Sequence, residues 1–198
     1  MKDIWYSDNR DLVKWGILLQ LAEAHDAATI LQVAYYRPTS WDGKYLDIDG
    51  RLCPLPSAVL DHFPRRISNI VTLRSKAKVN VLDAHLGEGD RPGYLRQVLA
   101  RIGGLARPAI VFLDPDTGLE PQGNARPEHV REDELRAIWD ALRHDDLLVF
   151  YQHRMRSRSW LADKQAQFEN ALGLKSGGSK VARGKAIAPD VAFFYCRK

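Results

Sequence analysis

Ile110-Val111-Phe112-Leu113 runs without a break into Asp114-Pro115-Asp116-Thr117-Gly118-Leu119. Four apolar residues followed by two acids, a proline and a glycine read as a buried parallel strand that ends at a polar loop. In open α/β sheets the carboxyl ends of strands are where ligands sit, because loops and helix starts converge there. Asp, Pro and Gly also suit a plain tight turn, so the stretch marks a place more firmly than a reaction.

The pattern around it places this strand in a larger order. Ser7 or Asp8 caps a first helix over 9–24, whose Leu12, Val13, Trp15, Ile17, Leu18, Leu19 and Leu21 cover most of its circumference and predict a well-buried helix. Strands are expected at 30–36, 79–83, 109–113 and 146–151, and helices at 93–102, 131–143 and 159–172. Segments 181–188 and 191–196, separated by Pro189-Asp190, predict a closing antiparallel pair. Strands alternating with helices give an α/β fold: a single-domain, Rossmann-like, mainly parallel sheet flanked by helices, with a C-terminal antiparallel hairpin. The 38–68 stretch is rich in Pro, Asp and Gly and reads as an irregular, insertion-like segment, with a short hairpin around 45–52 and a helix over 56–63.

At 198 residues, one domain over 1–198 is the expectation. No apolar run approaches bilayer length, and the start lacks the apolar stretch of a signal peptide, so a cytoplasmic protein without membrane association is expected. Cys53 and Cys196 stand far apart and in no metal-ligand spacing. The net charge of +4 is compatible with a nucleic acid or another phosphate-bearing partner, and it is uneven, with basic stretches at 153–158 and 175–185.

Three constellations stand out. Asp114 and Asp116 at a strand end suit a general base, an amine-orienting acceptor or a magnesium ligand. Gln152, His153 and Arg154 end the next strand. If the two strands are neighbours, His153 shares a rim with Asp114, suits acid–base chemistry, and has Gln152, Arg154 and Arg156 beside it for substrate contacts. Tyr6, Arg10, Asp11 and Lys14 crowd polar groups at the start of an otherwise apolar helix. A buried lysine such as Lys14 reaches for an acid such as Asp11 or for a bound anion. Asp83 and His85 follow another strand and belong to the same rim.

The order strand, Asp-Pro, helix, strand, helix and closing hairpin resembles the back half of class I S-adenosylmethionine-dependent methyltransferases. In the amino-directed members of that superfamily the acid of an Asp-Pro-Pro-aromatic motif accepts hydrogen bonds from the target amine; Asp114-Pro115 matches its first half, and Asp116-Thr117 departs from the rest. Asn9-Arg10-Asp11-Leu12-Val13-Lys14 resembles the N-terminal helix of the large-subunit ribosomal RNA adenine-N6 methyltransferases, with Trp15 where that family has a histidine. The resemblance implies S-adenosylmethionine as cofactor, with Lys14, Asp11 and Asp83 on the cofactor side. It also implies an amino group of a nucleic acid or nucleotide as acceptor. No glycine-rich loop follows the first strand. Two alternatives stand beside it. The apolar-run-then-Asp-x-Asp form resembles haloacid-dehalogenase-type phosphatases, which implies metal-dependent phosphoryl transfer by Asp114 and Asp116, and a nuclease would use the same acids. A non-catalytic nucleic-acid-binding module would use the basic loops.

Overall fold

A computed structural model describes residues 2, 6–37, 45–48, 50–54, 56, 67–87, 89–121 and 126–198. The chain runs α1 (Asn9–Ala24), β1 (Thr29–Val33), β2 (Tyr45–Ile48), β3 (Arg51–Pro54), a 3-10 turn (Ile67–Thr72), β4 (Lys78–Leu82), α2 (Arg91–Gly103), β5 (Ala109–Leu113) and β6 (Gly118–Leu119). It continues through β7 (His129–Val130), α3 (Glu132–Ala141), β8 (Leu147–His153), α4 (Trp160–Leu172), β9 (Lys180–Ala182) and β10 (Val191–Arg197).

Six strands form one sheet in the order β4-β1-β5-β8-β10-β9. The first four are parallel, and β10 is antiparallel to both β8 and β9. This is the mixed α/β architecture, with a mostly parallel sheet and a reversed closing pair, that the sequence predicts. From β1 the chain first pairs on one side with β4 and then returns to pair on the other with β5, so the strand order reverses at β1 and β5. Crevices at such reversals are the usual ligand sites of this architecture.

The pleat sorts side chains onto two faces, because successive strand residues point in opposite directions. Leu31, Val33, Val111, Leu113, Leu148 and Phe150 pack beneath α2, α3 and α4. Ile30, Ile110, Phe112, Val149, Tyr151 and Phe193 face the other way, where α1 covers them with Val13, Trp15 and Leu18. Burying the latter set stabilises the chain by about 1.5–3 kcal/mol per large side chain. The buried stripe of α1 is Asp11, Lys14, Trp15, Leu18 and Ala22, so two charged residues hold core positions.

Several boundaries differ from the sequence expectation. The helix α1 is buried on one face rather than all round, and Leu12 is exposed. The first strand stops at Val33 because Tyr35 turns to φ 46°, out of the extended region; Tyr36 returns only as an isolated bridge to His85. The strand β8 runs through Gln152 and His153, held by pairing with Ala192 and Val191. The first arm of the closing pair ends at Ala182, where residues 184–188 fold into a turn through Ile187 and Ala188 amides donating to the Gly184 carbonyl. The small β6–β7 pair was not expected. The hairpin near 45–52 is present as β2 and β3. The helix expected over 56–63 lies, from 57 on, outside the described residues. No helix among the described residues is long and apolar enough to cross a membrane.

Candidate active site

The same pleat that builds the core selects the site. Residues 110, 112 and 114 of β5 and its end share the α1 face, as do Gln32 of β1 and Tyr151 and His153 of β8. Directly above them α1 presents Asp11 and Lys14. A cavity of about 280 Å³ lies here, lined by Asp8, Arg10, Asp11, Lys14, Asp114, Pro115, Asp116, Tyr151 and His153. It opens at the carboxyl ends of β5 and β8, beside the reversal in strand order.

Its floor is a buried charge cluster. Lys14 Nζ donates to Asp11 Oδ1 at 2.6 Å and to Asp114 Oδ2 at 2.9 Å. Gln32 Nε2 donates to the same Asp114 oxygen at 2.6 Å, and Asp11 Oδ2 accepts the Ser7 amide at 2.6 Å. Lys14 Nζ also lies 5.7 Å from the Tyr151 ring centre and 6.0 Å from that of Phe112, within reach of cation–π attraction. Every Asp114 side-chain bond among the described residues goes to Oδ2, which leaves Oδ1 as its open acceptor at the cavity.

Two acids share one ammonium, and this sets the protonation order. Burial works against the Lys14 charge, but Asp114 and Asp11 outweigh it and hold the lysine above its ordinary value. Burial pushes the Asp114 carboxyl up, and Lys14 only partly opposes that, with Asp11 adding repulsion. Asp114 therefore takes a proton more readily than an ordinary aspartate, whereas Lys14 keeps its own. Tyr151 is also pushed up, by burial and by the nearby Asp114, and stays a neutral phenol.

The walls are a second network. Asp190 Oδ2 accepts from Arg10 Nη2 at 2.5 Å and Nε at 3.1 Å, and lies 3.3 Å from His153 Nε2. His153 Nδ1 stands 3.1 Å from the Arg154 carbonyl, so both ring nitrogens face oxygen. Arg10 Nη1 reaches back to Asp8 Oδ2, the helix-capping acid, at 3.2 Å. On the far side Asp116 pairs with Arg37, which also lies 3.6 Å from Glu128. Burial would raise Asp116, yet the positive charge of the amino terminus and Arg37 beside it hold its carboxyl below the usual range. Arg37 thus ties the segment after β1 to the segment after β5.

Of the sequence-predicted residues, the cavity gathers Asp114, Asp116, His153, Lys14, Asp11 and Arg10. Gln152 is placed elsewhere: it falls on the opposite pleat, and its amide donates to Thr117 and His153 carbonyls and accepts from the Leu119 amide. That bond set fixes the loop at Gly118, whose φ of 125° suits glycine and where an added Cβ would fall 2.3 Å from Gln152 Oε1. Asp83 and His85 are exposed past the end of β4 and do not line the cavity. Tyr6 is half-buried against the α1 core, and Arg154 and Arg156 are exposed on the loop beyond β8. Asp8, Tyr151, Gln32 and Asp190 were missed. A lone amide inside the apolar run Ile30-Leu31-Gln32-Val33 was the available signal for Gln32.

Among the described residues no group of three or more His, Cys, Asp or Glu side chains is arranged to hold a metal ion. Asp114 and Asp116 are each paired with a cation of the chain itself. An S-adenosylmethionine donor is positively charged at sulfur and at its amine. Asp8, Asp11, Asp114 and Asp116 give the lining carboxylates that fit such a cation, offset in part by Arg10, Lys14 and the Arg37 paired with Asp116. At about 280 Å³ the cavity is near the lower end of the roughly 300–1,000 Å³ usual for small-molecule sites, so it suits the reacting end of a ligand. Tyr35 adopts a left-handed φ of 46° two residues after β1.

No protein-family model matches the chain, and no curated protein does. Among solved structures it is similar to a DUF574 family protein from Streptomyces avermitilis, at 11% identity, with a TM-score of 0.44, over 96% of this chain and 82% of that one.

Proposed function

We propose that this chain is a methyltransferase-like enzyme acting on an amino group of a nucleic acid or nucleotide. One observation carries the reading: Asp114, at the end of a central strand, has Oδ2 fixed by Lys14 and Gln32 and Oδ1 open to an acidic cavity. An acceptor amine needs such an oxygen, held at one angle, to orient its lone pair. The sheet, a parallel run closed by an antiparallel pair, also agrees with the class I resemblance.

S-adenosylmethionine, when bound, supplies an electrophilic methyl group. Asp11 would line the donor's side of the cavity, and Lys14, paired with Asp11 and Asp114, would hold both acids in place. Asp114 Oδ1 accepts a hydrogen bond from the acceptor amine. Asp114, its carboxyl pushed up by burial, takes the proton the amine releases, and His153 on the same wall holds Asp190 beside Arg10.

Calorimetry with S-adenosylmethionine, run in parallel with magnesium alone, tests this. Micromolar binding of the donor, weakened at least tenfold in Lys14→Ala, is the expected result. Absence of donor binding with magnesium binding lost in Asp114→Asn would replace this mechanism with phosphoryl chemistry.

A further inference from the structure

Beyond the cavity, the surface charge changes sign. The loop after β8 carries Arg154, Arg156 and Arg158, all exposed, and the turn after β9 carries Arg183 and the exposed Lys185. No acid occurs from His153 to Ala162 or from Lys180 to Pro189. The two loops are fastened together: the Arg154 amide donates to the Asp190 carbonyl at 2.8 Å, and Arg183 lies 5.6 Å over the Trp160 ring while donating to the Pro189 carbonyl. Among the described residues Arg154, Arg156, Arg158 and Lys185 form no ion pair. An open groove of about 630 Å³ shares Asp8 and Arg10 with the cavity and runs along Asn9, Ile187, Ala188, Pro189 and Asp190; the cations of the rim do not line it but border it, through the Arg154–Asp190 backbone bond and through Lys185 two residues before Ile187. Ile187 is 51% exposed there, an apolar contact in a charged setting.

From this separation of charge we infer that the groove and its basic rim bind a single nucleic-acid strand, so that the acceptor is part of a polymer and not a free nucleotide. Four carboxylates in the lining disfavour a phosphate there, so the reacting base enters the cavity and its phosphates stay outside. The four exposed cations on the fastened loops offer contacts to neighbouring phosphates, and Ile187 with Pro189 offers an apolar face to a sugar or base. A mononucleotide gains little from cations distributed over two loops, whereas successive phosphates meet several of them. The assignment of the acceptor rests on the methyltransferase reading; the strand-binding surface does not.

Fluorescence anisotropy with a labelled single-stranded oligonucleotide of about a dozen residues, without methyl donor, tests it. The strand should bind with a log-affinity against log-salt slope of about −3, as four phosphate contacts give on single strands. Adenosine monophosphate should compete at least a hundredfold more weakly. Arg154→Gln with Arg156→Gln and Arg158→Gln should weaken strand binding at least tenfold and reduce the slope to about −1, with an unchanged melting temperature. Equal competition by the mononucleotide, unchanged binding by the triple variant, or tighter binding to phosphatidylserine vesicles than to the strand would each overturn the inference. Strand binding that persists without any donor binding would uphold this surface and reject the methyltransferase reading.

Discussion

Asp146 and Asp114 are both almost wholly buried carboxylates, at 0% and 1% exposure, and they stand at opposite ends of two neighbouring parallel strands. Asp146 lies before β8. Its Oδ1 accepts the Ala109 amide at 2.9 Å, and its Oδ2 accepts the Arg143 amide at 2.9 Å and the Arg107 guanidinium. Asp114 lies after β5, shares one ammonium with a second acid, and keeps an oxygen toward a cavity. A buried carboxylate with every acceptor engaged is a structural clamp. One with a fixed oxygen and an open oxygen, and with a carboxyl pushed up by burial, is arranged for chemistry. Partner geometry, rather than burial, distinguishes the two ends.

The sharpest way to break this contrast is to remove each acid's partners. Asp146→Ala removes the acceptor of Arg107 Nη1, of the buried Ala109 amide and of the Arg143 amide, and should cost about 3–5 kcal/mol in urea unfolding, with ligand affinity of the surviving folded protein unchanged. A loss of donor affinity in that variant would erase the distinction. Lys14→Met leaves Asp11 and Asp114 facing each other without a cation. It should cost about 2–4 kcal/mol near neutral pH, and part of that should return as pH falls and Asp114 takes a proton. A cost independent of pH would show that Asp114 is not the coupled group.

Acid titration sharpens the contrast further. The folded-state carboxyl of Asp114 lies above its ordinary value of 3.8, so the folded chain binds a proton that the unfolded chain has lost. Across that window stability falls as pH rises, by up to about 1.4 kcal/mol per unit, and Asp114→Asn should abolish that slope. Asp116 has the opposite sign. Its carboxyl lies below 3.8, so its contribution is present above the ordinary value and disappears as pH falls through the lowered one. Asp116→Asn should cost about 1 kcal/mol at neutral pH and flatten only the acid end of the curve. Urea melts at a series of pH values read both slopes.

The fold was legible because its periods are clean. Val79-Asn80-Val81-Leu82 and Ala109 to Leu113 are short β-rich runs between helical segments, and the helix over Asn9–Ala24 begins at an acid that does cap it. Much of the cavity was legible for a related reason: strand ends that carry acids and histidine converge once the strands are neighbours. Gln152 was misplaced because the strand was read as ending at Tyr151; one more pair of residues in the ladder with β10 assigns it to the opposite face. Asp190 was invisible as a site residue because its neighbours, Arg10 and His153, are distant in sequence and meet only through the β8–β10 register. Tyr35 was read as continuing a strand, since a left-handed tyrosine has no local sequence signal.

The most direct test of the account is transfer of labelled methyl from S-adenosylmethionine to mixed single-stranded oligonucleotides, comparing the native chain with Asp114→Ala and following donor binding in both. The account predicts label on a base amino group with the native chain, and at least a hundredfold less with Asp114→Ala while donor affinity stays within a few-fold. Donor binding without any transfer, or equal transfer by the two proteins, would contradict the role of Asp114 as the residue that orients the acceptor.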